Sequence, residues 1–168
     1  SWGVRNTAIV RLGVDATVFR PAPRDPETRR RLGVPDGRIC LLFVGRLAHE
    51  KGVSTLLSTF RALHGAEPGR FHLLVVGQGP LRRDVEATAR DTGSVTWADN
   101  FKDSAELARV YRAADIFVHP GVLETFGLVT VEAQACGVPV VGIRGSYMDR
   151  LAFCGIDRWA ETNTAGSL

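Results

Sequence analysis

Residues 39–77 read ICLLFVGRLAHEKGVSTLLSTFRALHGAEPGRFHLLVVG. Two unbroken apolar runs, at 39–45 and 71–77, bracket VSTLLSTFRALHG (53–65), whose apolar residues recur at helical spacing. A strand covered on both faces carries no polar alternation, so the runs read as buried parallel strands joined by a helix. The pattern continues outward. DIFVHPG (115–121), VPVVGI (138–143) and a shorter SVTWAD (94–99) read as strands, and 79–93, 103–114 and 127–137 read as helices. The expected fold class is α/β: a Rossmann-like parallel sheet with helices on both faces, built from right-handed crossovers. Asp103 or Ser104 can cap the third helix, and Gly65, Gly93 and Gly137 stand where helices should stop.

The ends differ from this core. PAPRDPETRRRLGVPDG (21–37) is rich in Pro and Arg and reads as a connection with a short helix wrapping the outside. The tail from 154, CGIDRWAETNTAGSL, shows no strand or helix stop, and the chain reads as a piece of a longer protein. The expected organisation is one domain over 1–168: a leading segment (1–38), a core (39–145) and a truncated tail (146–168).

The chain has 168 residues and a net charge of +3, with 21 basic residues interleaved among 18 acidic ones. Only Arg29-Arg30-Arg31 form a run, so no clustered nucleic-acid footprint is expected. Lysine is scarce: Lys51 and Lys102 are the only two. Cys40, Cys136 and Cys154 show neither Cys-x-x-Cys spacing nor nearby His partners, so a reducing, cytosolic compartment is the simpler reading. No apolar run is long enough to cross a bilayer, and any work at a membrane is expected to be peripheral, at its inner face.

In open parallel sheets ligands bind beyond the carboxyl ends of the strands. Here those ends carry Gly45, Gly77 and Pro120-Gly121. After the first strand, GRLAHEKG (45–52) offers the Arg46 guanidinium and the Lys51 ammonium beside a helix N-terminus, a set that suits a diphosphate. The alternative is a solvated turn whose cations pair with Glu50. After DIFVHPG comes ETFGLVTVE (124–132). Glu124 lies in the loop, Gly127 opens a helix, and Glu132 follows about one and a half turns in. A carboxylate flanked by Val131 and Ala133 is costly without a partner, and vicinal ribose hydroxyls are one. Backbone N–H groups over 126–128 face the phosphates in this reading.

FVGRLAHEKG, LLVVGQGP and LARVYRAADIFVHPGVLETFGLVTVEAQACGVPVV together resemble the C-terminal, nucleotide-sugar-binding half of retaining GT-B glycosyltransferases of family 4, the glycosyl transferases group 1. The likeness runs from about Val10 to Gly145. It implies transfer of a sugar, with retention, from a nucleoside-diphosphate donor to a hydroxyl acceptor: a sugar, a lipid-linked sugar or a small metabolite. UDP- or GDP-linked donors are expected, with no other cofactor and no metal; the sequence has no Asp-x-Asp triplet. The partner implied is an N-terminal acceptor domain absent from this sequence.

By the same resemblance, Arg46 and Lys51 hold the diphosphate, Glu124 contacts the donor sugar and Glu132 the ribose. Arg46, Lys51 and Glu124 are the residues implied in catalysis. Phe126, Gly127 and Leu128, with Val129 after them, approach the phosphates and sugar. Gly45 begins the phosphate loop, Gly77 and Gly79 shape the neighbouring turn, and Asn100 and Phe101 lie in the segment that lines the base. Departures are Ala98-Asp99 where the family commonly has a glycine, Leu12 in place of an asparagine, and Arg144-Gly145-Ser146-Tyr147 in place of paired glycines and a glutamate. A binding module without turnover in this chain alone, and a related GT-B epimerase or phosphorylase, are the competing readings. Neither lysine has the context of a pyridoxal lysine.

Some residues look chemical without fitting a role. His49 is expected to face solvent, and His64 and His72 to be structural. His119 either lines the cleft or is a hydrogen-bonded structural histidine. Trp2, Trp97 and Trp159 read as packing residues, and Cys136 as a small buried hydrophobe.

Overall fold

The structure, a computed structural model, describes residues 13–123, 126–146 and 158–168. Six strands form one sheet: β1 (Ile39–Val44), β2 (Phe71–Val76), β3 (Val95–Ala98), β4 (Ile116–His119), β5 (Val140–Ile143) and β6 (Arg158–Ala160). Their order is β3-β2-β1-β4-β5-β6, and every pairing is parallel. The helices are α1 (Pro26–Arg31), α2 (Val53–Ala66), α3 (Arg82–Thr92), α4 (Ser104–Ala113) and α5 (Leu128–Ala135). A short 3-10 turn, His49–Lys51, precedes α2.

Successive residues of β1 serve opposite faces, as strand geometry requires. Cys40 and Leu42 pack with Ala108, Tyr111, Ala133 and Cys136 from α4 and α5, whereas Leu41 and Phe43 pack with Leu56 and Phe60 of α2 and Val85 of α3. Both faces of the central strands are thereby covered, which explains the unbroken apolar runs. The chain runs from β1 outward through β2 and β3, then returns to β4 on the other side of β1. The β1/β4 seam is therefore the topological switch point, where a crevice opens between loops that depart in opposite directions.

Four details differ from the sequence reading. Gly65 lies inside α2, which ends one residue later at Ala66; the position is exposed, and a glycine there costs the helix only about 1 kcal/mol. The helix expected from residue 79 starts only at Arg82, since Gly79 has φ +155° and lies in the preceding turn. The tail contributes β6, beside β5; three residues are too few to show a strand pattern.

The fourth difference is the leading segment, which is partly core rather than a wrapping. Phe19, Leu32 and Val34 are buried. Arg29 of the arginine triplet is 8% exposed, and its guanidinium donates to the Ala113 carbonyl (2.8 Å), Asp115 Oδ2 (3.1 Å) and the Arg38 carbonyl (2.7 Å). Asp115 Oδ2 also accepts from the Cys40 N–H at 2.7 Å. One arginine thus ties together the amino ends of β1 and β4, the same seam whose carboxyl end forms the crevice.

Cys40 and Cys136 are buried free thiols, and burial pushes Cys40 up to about 12 and raises Cys136. Residues 1–12, Cys154 and Tyr147-Met148-Asp149 lie outside the described residues, as do Trp2 and the Trp159 side chain. No described helix is long and apolar enough to cross a membrane.

Candidate functional site

A cleft of about 260 Å³ opens at the carboxyl ends of β1 and β4. Its first wall is Phe43, Val44, Gly45 and Arg46, with Lys51 at the end of the 3-10 turn. The opposite wall is Phe126, Gly127, Leu128 and Val129, where α5 begins, and the buried His119 of β4 also lines it. His119 therefore belongs to the cleft, one of the two readings its position left open.

Glycines set how closely these loops approach. A Cβ on Gly77 would fall 1.9 Å from the Gly45 carbonyl oxygen, and one on Gly79 would fall 2.4 Å from that of Leu47. Both sites have positive φ, +142° and +155°. These glycines do not line the cleft; they let the turn after β2 press against the loop after β1. Gly45 N–H donates to Val76 O, and Leu47 N–H to Gln78 O, at 3.0 and 2.8 Å. Trp97 braces the same turn by donating from Nε1 to the Gly77 carbonyl at 2.8 Å, under the Arg82 guanidinium 3.9 Å above its ring. Across the cleft, a Cβ on Gly52 would meet the Pro120 carbonyl oxygen at 2.6 Å, so the start of α2 abuts the loop after β4.

The helix ends at this crevice have a common form. The residues before α2 and α5 are Gly52 and Gly127, at φ +70° and +61°, and neither helix has a side-chain cap among the described residues. By contrast α1 and α4 are capped by Asp25 and Asp103, which accept from Glu27 N–H and Ala105 N–H at 3.0 and 2.9 Å. Backbone amides and a positive helix end at the cleft, with two cationic side chains opposite, are suited to holding an anion.

Arg46 forms an ion pair with Glu50, so the solvated-turn pairing is present for that cation. The carboxyl of Glu50 is held below the usual range by its own backbone N–H and by Arg46. The Arg46 side chain is 66% exposed, and such a pair exchanges readily for a more highly charged partner.

Glu132 does not line the cleft itself. It lies on α5 one turn beyond Leu128 and Val129, on the same helix face by its spacing. Its Oε2 accepts from the Tyr111 hydroxyl at 2.7 Å. Burial raises the Glu132 pKa, with the tyrosine hydrogen bond acting against it. The sequence carries no local signal for this partner, 21 residues away on another helix.

Glu124 lies outside the described residues. Phe101 packs on the α1/α4/α5 side of the sheet, and the Asn100 N–H donates to Asp99 Oδ1 at 2.6 Å; neither borders the cleft. His49 is exposed, 3.3 Å from Ser54 Oγ, and His64 stacks on Phe60. Among the described residues no group of three or more His, Cys, Asp or Glu could hold a metal ion.

Comparison with known proteins matches this architecture. The family model for glycosyl transferases group 1 covers residues 24–152. A D-inositol 3-phosphate glycosyltransferase of Arthrobacter sp. (strain FB24) is 39% identical over 149 residues, which are 85% of this chain and 35% of that protein. A GDP-mannose-dependent alpha-(1-6)-phosphatidylinositol dimannoside mannosyltransferase of Mycobacterium tuberculosis is 35% identical over 150 residues, 89% of this chain and 38% of the other. The chain thus spans little more than a third of the length of these curated relatives.

Among solved structures, the C-terminal domain of a glycosyl transferase group 1 family protein (LpcC) from Francisella tularensis superposes with TM-score 0.76 at 23% identity, covering 92% of this chain and 83% of that one. Anabaena Alr3699/HepE, solved with UDP and glucose, gives TM-score 0.75 at 22% identity, covering 92% of this chain and 43% of that one. These likenesses show the fold, a GT-B C-terminal domain. Taken with the family match over more than half its length, they settle what the chain is: it belongs to the glycosyl transferases group 1 family.

Proposed function

We propose that this chain is the donor-binding half of a retaining glycosyltransferase. The observation that carries the reading is the cleft at the β1/β4 switch point, where Arg46 and Lys51 face the glycine-begun N-terminus of α5. A nucleoside diphosphate sugar lies there with its diphosphate between the two walls, its ribose toward Glu132 and its sugar toward Glu124. As the bond from the anomeric carbon to the phosphate oxygen breaks, negative charge grows on the diphosphate. Arg46, Lys51 and the helix end stabilise that charge without reorganising, which is the largest contribution this half can make. The acceptor hydroxyl forms its bond on the face the phosphate leaves, and its proton passes to a leaving phosphate oxygen. No side-chain nucleophile and no metal ion are needed in this scheme.

The names of the relatives, an inositol phosphate glycosyltransferase and a phosphatidylinositol dimannoside mannosyltransferase, support an acceptor with a free hydroxyl on a phosphorylated polyol or its lipid. Uracil or guanine is the base of the donor. The acceptor is held by an N-terminal domain of the same enzyme, so this chain by itself binds the donor and turns it over slowly or not at all. Buried free thiols support a cytosolic setting, with any membrane contact peripheral.

Calorimetry with UDP, GDP and ADP against their nucleosides tests the reading. Replacing Arg46 and Lys51 together by alanine is expected to weaken diphosphate binding about a hundredfold while nucleoside binding stays within threefold, since two charge-assisted contacts are lost. Equal diphosphate affinity in the variant and the parent would reject the assignment.

A further inference from the structure

The contact between Tyr111 and Glu132 is not explained by packing. Tyr111 is fully buried on α4, edge-on to Phe19 and Phe117 at centroid separations of 6.1 and 5.8 Å. A phenylalanine would fill the same space among these rings. Placing a hydroxyl here is costly unless it is bonded, and its partner is a half-buried carboxylate that is costly in turn. A pair of apolar residues between α4 and α5 would serve stability as well or better. What the pair adds is a fixed carboxylate: the ring cannot turn within its aromatic cage, so its O–H holds Oε2 at one point. Among the described residues Tyr111 is the one hydrogen-bond donor to Glu132, and Oε1 accepts from none of them.

We propose that Tyr111 is a positioning residue for nucleotide recognition, orienting Glu132 so that Oε1 is presented to the vicinal hydroxyls of a ribose. This rests on reading the cleft as a nucleoside diphosphate site. Glu132 shares its helix face with Leu128 and Val129, which line the cleft, so the carboxylate is one turn deeper along the same wall. The contact also alters the recognition expected of the carboxylate. With Oε2 already accepting from beneath, Oε1 is the oxygen presented first to the ribose hydroxyls. The rotamer entropy of the glutamate is spent on folding and is not charged against ligand binding.

The test compares UDP with 2′-deoxy-UDP, and GDP with 2′-deoxy-GDP, by calorimetry on the 168-residue chain and its Tyr111→Phe and Glu132→Ala variants. The parent is expected to favour the ribonucleotide by about tenfold or more, as loss of a hydrogen bond to a charged group implies. Tyr111→Phe should cut that ratio to about threefold by weakening ribonucleotide binding alone, and Glu132→Ala should bring it close to one. If Tyr111→Phe lowers the melting temperature but keeps the parental ratio, the tyrosine is merely structural and the proposal is overturned. If Glu132→Ala keeps the ratio, the ribose reading fails and the proposal falls with it.

A measurement on the unaltered chain does not depend on Tyr111→Phe or Glu132→Ala folding. The sequence has two tyrosines, Tyr111 and Tyr147, so selective 13Cζ labelling gives two resonances, assigned with Tyr147→Phe. The ribonucleotide should move the Tyr111 signal and the deoxynucleotide should leave it in place; a Tyr111 signal that ignores both would overturn the inference.

Discussion

Replacing Gly77 by alanine tests how the loop after β1 is held. The new Cβ would sit 1.9 Å from the Gly45 carbonyl oxygen, and the atom in the way is backbone that cannot rotate aside. An ordinary contact needs roughly 3.2 Å, so the two loops must part by about 1.3 Å. That displacement breaks the Gly45 N–H bond to Val76 O or the Trp97 bond to Gly77 O, and it adds strain at φ +142°. Overpacking, strain and one lost hydrogen bond together suggest about 3 kcal/mol of destabilisation. A domain of this size should then melt roughly 6–12 °C lower.

The functional effect separates this from general damage. Gly45 and Arg46 would move with the loop, and a shift near 1 Å in a positioned charge can cost about a hundredfold. Gly93→Ala is the control, since φ there is +60° but nothing lies within 4 Å of a Cβ. It should cost about 1 kcal/mol and leave nucleotide binding unchanged. Thermal melts and calorimetry with UDP and GDP on both variants decide the matter. If Gly77→Ala behaves like Gly93→Ala in both assays, the two turns are not locked together and the spacer argument is wrong.

Three further outcomes are expected. Arg29→Ala should destabilise the domain by about 2–4 kcal/mol in urea unfolding, because the Ala113 and Arg38 carbonyls and Asp115 lose a shared donor, and Arg29→Lys should not restore it, since an ammonium cannot span three acceptors; a change below about 0.5 kcal/mol would refute the seam-tying role. Glu50→Gln should raise nucleoside diphosphate affinity roughly two- to fivefold by freeing Arg46, and unchanged or weaker binding would show that the resting pair does not compete with the ligand. Burial, with repulsion from Arg38 and Arg29, lowers His72 from 6.5 to about 4, so the unfolded chain takes up the proton first as pH falls. The His72 contribution to stability should be flat above pH 6.5 and decline by about 2–3 kcal/mol between pH 6.5 and 4, and a His72→Asn variant that declines equally would remove His72 as the cause.

The central sheet was legible because buried parallel strands leave continuous apolar runs, and β1, β2, β4 and β5 all declare themselves that way. Residues with tertiary tasks were not. Arg29 looks like one of a solvated triplet, yet burial is decided by where α1 docks. Gly65 looks like a helix stop, yet α2 runs one residue past it at the modest cost of a glycine in its last turn. At the site, the residue types of the phosphate loop and of the α5 start announced themselves, as did the need of Glu132 for a partner. That the partner is Tyr111 depends on how α4 lies against α5, and no local spacing encodes it. Gly77 and Gly79 could be seen as glycines, but what approaches them belongs to another loop. The cleft contributions of Phe43 and His119 are likewise set by strand order.

Four of the five described helices divide into two kinds that matter beyond geometry: α1 and α4 carry their own aspartate caps, while α2 and α5 start at the cleft from left-handed glycines, which have no side chain to cap with. An anion seated there would meet both helix ends at once and add to the stability of the folded domain. At a hundred times its dissociation constant such a ligand adds about 2.7 kcal/mol. With the nucleoside diphosphate sugar proposed above as that ligand, the melting temperature of this domain becomes a gauge of how much of the ligand is present.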